Sequence, residues 1–149
     1  MQLNITYTPP MFERCLYFNV NALARAVNRL WDQSFKELGL SPAHAYLLRL
    51  VLAQPGISQK AIAEELRLEK STITRFIDSL QERGLLKRSK LGAEDSREQR
   101  ITPTAKAKRL QAALEAKGEE LYRKMCGTLG EAKTKALVAQ MREVTKALS

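Results

Sequence analysis

The sequence predicts one mainly α-helical domain carrying a small β-hairpin, and three observations lead there. Its 149 residues match the size of a single ordinary domain. Seven glycines and five prolines are too few for a chain built on many tight β-turns, and helix formers dominate instead. Apolar residues recur at spacings of three and four along most of the length, the period of a helix with one buried face. A core of this size buries roughly two-thirds of the surface an unfolded chain exposes, so no disulfide or metal staple is required.

Residues 1–11 are polar and β-tolerant and end in Pro9-Pro10, which reads as an arm. Phe12, Leu16, Leu23, Val27, Leu30 and Trp31 then mark a first helix, ended by Gly39. Ser41 offers an N-cap with Pro42 at the first helical position, opening a short helix through about Ala53 that Pro55-Gly56 stops. From Ser58, the next cap, to Gly84 the pattern predicts two short helices with a tight corner at Leu68. Ile62 and Leu66 supply the inner face of the first, and Ile73, Phe76, Ile77 and Leu80 that of the second.

Residues 85–90 and 97–102, around a polar Gly92-Ala93-Glu94-Asp95 tip, read as a β-hairpin, with a loop as the alternative because alternation is weak. From Pro103 the pattern is helical again, with Leu110, Leu114, Leu121 and Met125 on one stripe and Gly127 and Gly130 interrupting it. A last amphipathic helix carries Leu137, Met141, Val144 and Leu148.

Charge narrows the function. Lys and Arg number 25 against 16 Asp and Glu, a net charge of +9, and a domain that basic meets polyanions, either nucleic acid or an anionic membrane. Solubility alone is the bland alternative. Residues 87–109 hold eight basic against three acidic side chains, so five of the nine net charges lie in one stretch over the hairpin.

The corner-joined helix pair gives that charge a geometry. A helix-turn-helix lays its second helix in the major groove, with residues near that helix's N-terminus reaching base edges. With Ile73, Phe76, Ile77 and Leu80 on one side, Ser71 and Arg75 point opposite and Thr72 and Thr74 flank them. Small hydroxyls allow close approach, and an arginine pairs bidentately with guanine. Asp78 and Glu82 lie farther along, where the helix would leave the groove. A hairpin beside it can enter the minor groove, with Arg97 held by Asp95 two residues before it. An ordinary amphipathic helix and a solvated loop are the competing readings.

Other classes find little support. Cys15 and Cys126 match no metal spacing, and no metal or cofactor is expected. His44 is the sole histidine, and no base–nucleophile–orienter set exists, so an enzyme is not expected. The start lacks a signal-peptide pattern, and the most apolar stretch, residues 45–53, is short and broken by Arg49. A cytoplasmic protein with reduced thiols and no membrane partner is the expectation.

Leu40-Ser41-Pro42-Ala43, Ser58-Gln59-Lys60-Ala61-Ile62-Ala63, Ser71-Thr72-Ile73-Thr74-Arg75 and Leu80-Gln81-Glu82-Arg83-Gly84-Leu85-Leu86-Lys87-Arg88, followed by Asp95-x-Arg97 with Ile101 and Thr104, resemble the MarR family of bacterial transcriptional regulators. The ordered resemblance covers residues 12–148. This chain has Pro103-Thr104 and Ala107 where the family carries Leu-Thr and a glycine. The resemblance implies a winged helix-turn-helix over about residues 41–102, flanked by dimerisation helices over about 12–38 and 104–148, in one domain spanning 1–149. It implies a homodimer on a pseudo-palindromic double-stranded DNA operator, acting as a repressor released by a small aromatic or lipophilic effector or by an oxidant.

Carried over by position, base readers are Lys70, Ser71, Thr72, Thr74 and Arg75, and the wing contact is Arg97 set by Asp95, with Lys90 and Arg100 as further wing candidates. The terminal stripes suit an intersubunit seam and an intrachain core equally. His44 is a candidate for lining an effector pocket, the commoner case being a helix-surface histidine. An alternative reading is a peroxide sensor acting through Cys15, which follows Arg14 near a helix start. Against it, Asn19, Pro42 and Ala45 stand where such sensors place tyrosines and their partners, and a small buried apolar residue is the plainer role. Cys126 reads as structural.

Overall fold

A computed structural model describes residues 11–90 and 98–149. Helix α1 spans Leu16–Lys36, α2 Pro42–Ala53, α3 Gln59–Leu66 and α4 Lys70–Glu82; α5 spans Ala105–Leu129 and α6 Glu131–Leu148. Three short strands, β1 (Ile57–Ser58), β2 (Leu86–Ser89) and β3 (Arg100–Pro103), form an antiparallel sheet in the order β1-β3-β2. The predicted fold class, mainly helical with a small β-wing between N- and C-terminal helices, is the observed one. Among the described residues no helix is long and apolar enough to cross a membrane.

Cap chemistry sets most boundaries. Ser41 Oγ accepts from the His44 backbone N–H at 3.2 Å with Pro42 in the first turn, and Ser58 Oγ accepts from Ala61 N at 3.1 Å. Thr104 does the same for α5: its Oγ1 accepts from Ala107 N at 3.2 Å and donates to Gly84 O at 2.7 Å. The Pro103-Thr104 start is therefore sound, with Pro103 closing a strand opposite Leu86. Ala107 is fully buried, where a small side chain is what fits.

Four details differ from the sequence reading. Helix α1 begins at Leu16; Phe12 belongs to a turn closed by the Cys15 N–H on Phe12 O at 3.0 Å. Strand β1 was not expected, since two residues carry no periodic signal; it pairs Ile57 with Ile101 and Ser58 with Arg100. Gly127 does not interrupt α5, whose break falls at Gly130, where φ is +89° and an L side chain would be strained. The hairpin strands are shorter than predicted, pairing Leu86–Ser89 with Arg100–Pro103.

The core sits beneath α4. Ile62, Ile73, Ile77, Leu80, Leu85, Leu86 and Ile101 pack with Leu47, Leu48 and Val51 of α2, and Phe35, Leu114 and Leu121 extend the same cluster into α1 and α5. Burying a side chain of this size contributes about 1.5–3 kcal/mol. The outer faces of α1 and α6 stay uncovered, with Leu16, Tyr17, Val20, Met141, Val144 and Leu148 exposed.

Candidate nucleic-acid interface

Helix α4 is sharply two-sided. Ile73, Ile77 and Leu80 are fully buried, which turns Lys70, Ser71 and Arg75 to solvent and leaves Thr72 and Thr74 half-buried at the edges. The five residues predicted to read bases thus share one end of one helix. Thr74 differs from its neighbours. Its hydroxyl donates to Lys70 O at 2.9 Å and accepts from Gln59 Nε2 at 2.6 Å, so it ties α3 to α4 and retains only acceptor capacity.

The wing is tied to the same helix by Arg88, a residue sequence reasoning did not single out. From β2 its guanidinium reaches Asp78 Oδ1 at 2.6 Å, Gln81 Oε1 at 2.6 Å and Thr74 O at 3.3 Å. Asp78, read from sequence as an acidic group at the groove exit, is the anchor of this clamp. Charge-assisted bonds from one planar group to three acceptors orient two elements at once. The only sequence signal was a basic residue in a strand and an acidic one ten positions earlier, which no local spacing connects. A cleft of about 540 Å³ opens between α3, α4 and the wing base, lined among others by Lys60 and Lys70.

Of the wing candidates, Lys90 is exposed at the end of the described strand segment. Arg100 turns inward, with Nη1 donating to Gly56 O at 3.4 Å and Nη2 lying 3.5 Å from Glu98 Oε2. Its charge is engaged at the β1–β3 junction. Asp95 and Arg97 lie outside the described residues.

His44 faces α4. Its ring meets Phe76 edge-on at 4.8 Å between centroids, and burial, then the Arg83 guanidinium, hold it below its usual 6.5. The apolar cleft between α1, α2 and the α3–α4 corner, about 280 Å³, is lined instead by Trp31, Pro42, Ala43, Tyr46, Leu66 and Leu68.

Cys15 occupies the N-cap of α1 half-buried, and Asn19 one turn on donates to Phe12 O, Glu13 O and Cys15 O at 3.2, 3.0 and 2.8 Å. Those bonds serve the backbone carbonyls. Cys126 is half-buried in α5, and its hydrogen bond with Tyr122 holds that phenol above its usual range. Among the described residues no cluster of three or more His, Cys, Asp or Glu could hold a metal.

A corner-joined helix pair, an exposed polar end on the second helix and a β-wing clamped against it define a winged helix-turn-helix protein. Residues 38–98 match the sequence profile of the MarR family. An uncharacterised HTH-type transcriptional regulator, YybA of Bacillus subtilis strain 168, is 29% identical over 101 residues, which span 67% of this chain and 66% of that protein. The match thus covers just under two thirds of the relative's length. The PcaV transcriptional regulator of Streptomyces coelicolor, solved with its natural ligand, superposes with a TM-score of 0.82 at 22% identity, over 96% of this chain and all of that one (100%). MepR of S. aureus, solved as a DNA complex, gives 0.78 at 19% identity, over 89% of this chain and 96% of that one. Residues 38–98 thus carry a MarR-type winged helix-turn-helix, the module of a family of DNA-binding transcriptional regulators.

Proposed function

We propose that this protein is a cytoplasmic, homodimeric repressor that reads a pseudo-palindromic duplex and is released by a small aromatic or lipophilic ligand. One observation carries the reading. A helix whose Ile73, Ile77 and Leu80 are fully buried presents Lys70, Ser71 and Arg75 together, and Gln59 and Arg88 both brace it at Thr74. In this proposal Ser71, Thr72 and Arg75 reach base edges, Lys70 and Lys90 neutralise phosphates, and Thr74 orients the helix through Gln59. Arg97, set by Asp95, enters the minor groove, and Arg100 acts on the wing from within.

The uncovered apolar faces of α1 and α6 support a two-fold dimer, since a monomer rarely leaves such stripes in water. The apolar cleft beside Trp31 and Tyr46 is of a size and lining that suit a small aromatic ligand. Binding selection of the purified protein from a random duplex pool tests the reading. The expected outcome is an enriched inverted repeat, bound at about nanomolar Kd or tighter, with affinity falling steeply as salt rises because counterions are released from phosphates. No enrichment, or affinity indifferent to a tenfold change in salt, would overturn it.

A further inference from the structure

Helix α5 contains two glycines, Gly118 near its middle and Gly127 in its last turn, and they differ in surroundings. A Cβ at Gly127 would meet nothing within 4 Å, whereas a Cβ at Gly118 would lie 2.7 Å from Nη1, 2.8 Å from Nη2 and 2.9 Å from Cζ of Arg49. Glycine is the poorest helix former after proline, so its presence here has a packing reason. The guanidinium of Arg49, on α2, lies directly across the helix backbone in the notch that Gly118 leaves. From there Nη2 bonds Glu115 Oε2 at 3.1 Å and Nε reaches Oε1 at 3.4 Å, one turn back on α5.

The same guanidinium lies over the Tyr46 ring, 5.1 Å from its centroid. Tyr46 in turn packs edge-on to Phe35 at 6.0 Å, and its hydroxyl accepts from Trp31 Nε1 at 3.2 Å. Side chains of α1, α2 and α5 are therefore joined in one line: Trp31, Tyr46, Arg49, Glu115. That line crosses from the reading head into the terminal helices, and its first two members also line the apolar cleft.

We propose that Arg49 is a positioning residue, seated in the Gly118 notch, that sets the angle of the reading head on the terminal helices and so the separation of the two α4 helices in the dimer. The proposal rests on the DNA-reading function above and adds how the heads are spaced. A planar fork is needed, because only a guanidinium can lie flat over a helix backbone while pairing a carboxylate with two donors. A ligand that displaces Tyr46 or Trp31 acts on Arg49 through the ring it covers.

The obstacle at position 118 is the tip of a flexible side chain, so Gly118→Ala leaves the helix intact and evicts the guanidinium. The test uses the full-length protein and the duplex recovered by selection, with half-site spacing varied one base pair at a time, beside a duplex holding a single half-site. The unmodified protein is expected to show a sharp spacing optimum. Gly118→Ala and Arg49→Lys should flatten it, lowering affinity at the optimum by roughly fivefold or more. Affinity for the single half-site should stay unchanged, and the thermal midpoint of Gly118→Ala should stay level or rise. A merely structural contact would lower the midpoint and leave the spacing profile alone. Retention of the unmodified profile by both variants overturns the proposal.

Should the unmodified protein bind no duplex, the DNA reading fails, and the positioning role is measured without DNA. Spin labels at Glu65 and Arg123, both exposed, in a Cys15→Ser, Cys126→Ser background diluted with unlabelled chain, report the head-to-stem distance. A distribution that broadens in Gly118→Ala supports the role; an unchanged one overturns it.

Discussion

In the reading head Ile73, Ile77 and Leu80 are fully buried, whereas on the outer helices Leu16 is 58%, Met141 46% and Leu148 76% exposed. Both regions carry apolar stripes of the same helical period, so pattern alone does not say what covers them. The head closes on itself because α2, α4 and the sheet converge from three directions on one cluster. Helices α1 and α6 have a partner on one side only. The head meets its hydrophobic requirement within one chain, while the outer helices leave apolar side chains exposed.

The largest expected effect separates the two regions outright. Placing charge on the outer stripes, with Leu23→Asp and Met141→Asp together, should give monomers in sedimentation while the head stays folded. Affinity for a two-site duplex should fall about 10²–10⁴-fold as the gain from paired heads is lost. A variant that remains dimeric would place the seam elsewhere. Next comes the head's own core. Ile77→Ala should destabilise by about 2–5 kcal/mol in urea unfolding, through lost transfer energy plus a cavity beneath α4. An equal loss from Val144→Ala in a dilute monomer would erase the contrast between the regions.

Smaller effects sharpen the functional side. Arg75→Ala should weaken operator binding by about 1–3 kcal/mol and relax preference at one base position, while stability moves little. Measured binding to single-base operator variants checks it. The smallest effect concerns pH. Because burial and Arg83 hold folded His44 below 6.5, the unfolded chain binds more protons in the window beneath that value. Stability is therefore full above about 6.5 and declines slightly as pH falls through the lowered value. His44→Gln should remove that slope in thermal melts between pH 7 and 5; a slope that persists assigns it to other groups.

Much of the fold was readable in advance because its signals are local. Ser41 before Pro42, Ser58 before an apolar run and the glycine after α4 each act within one turn, and all three lie where cap and breaker chemistry put them. The exposed end of α4 was readable for the same reason, since Ile73, Ile77 and Leu80 force Ser71 and Arg75 outward. The rest of the interface was not. Thr74 meets Gln59, and Arg100 meets Gly56 as well as Glu98, contacts that no local spacing signals. His44, a candidate for lining a pocket, packs on Phe76, and the aromatic cleft belongs to Trp31 and Tyr46.

Helix periods, caps and charge along the chain were thus written into neighbouring residues, because each depends on groups no more than a few positions apart. Which strand segments pair, which arginine clamps the wing, and why a glycine stands in the middle of α5 depended on side chains brought together from distant positions. Arg88 and Asp78 meet only once the wing folds back, and Arg49 finds Gly118 only once α2 crosses α5. Contacts of that kind follow from how whole elements pack, and no one-dimensional spacing encodes that packing.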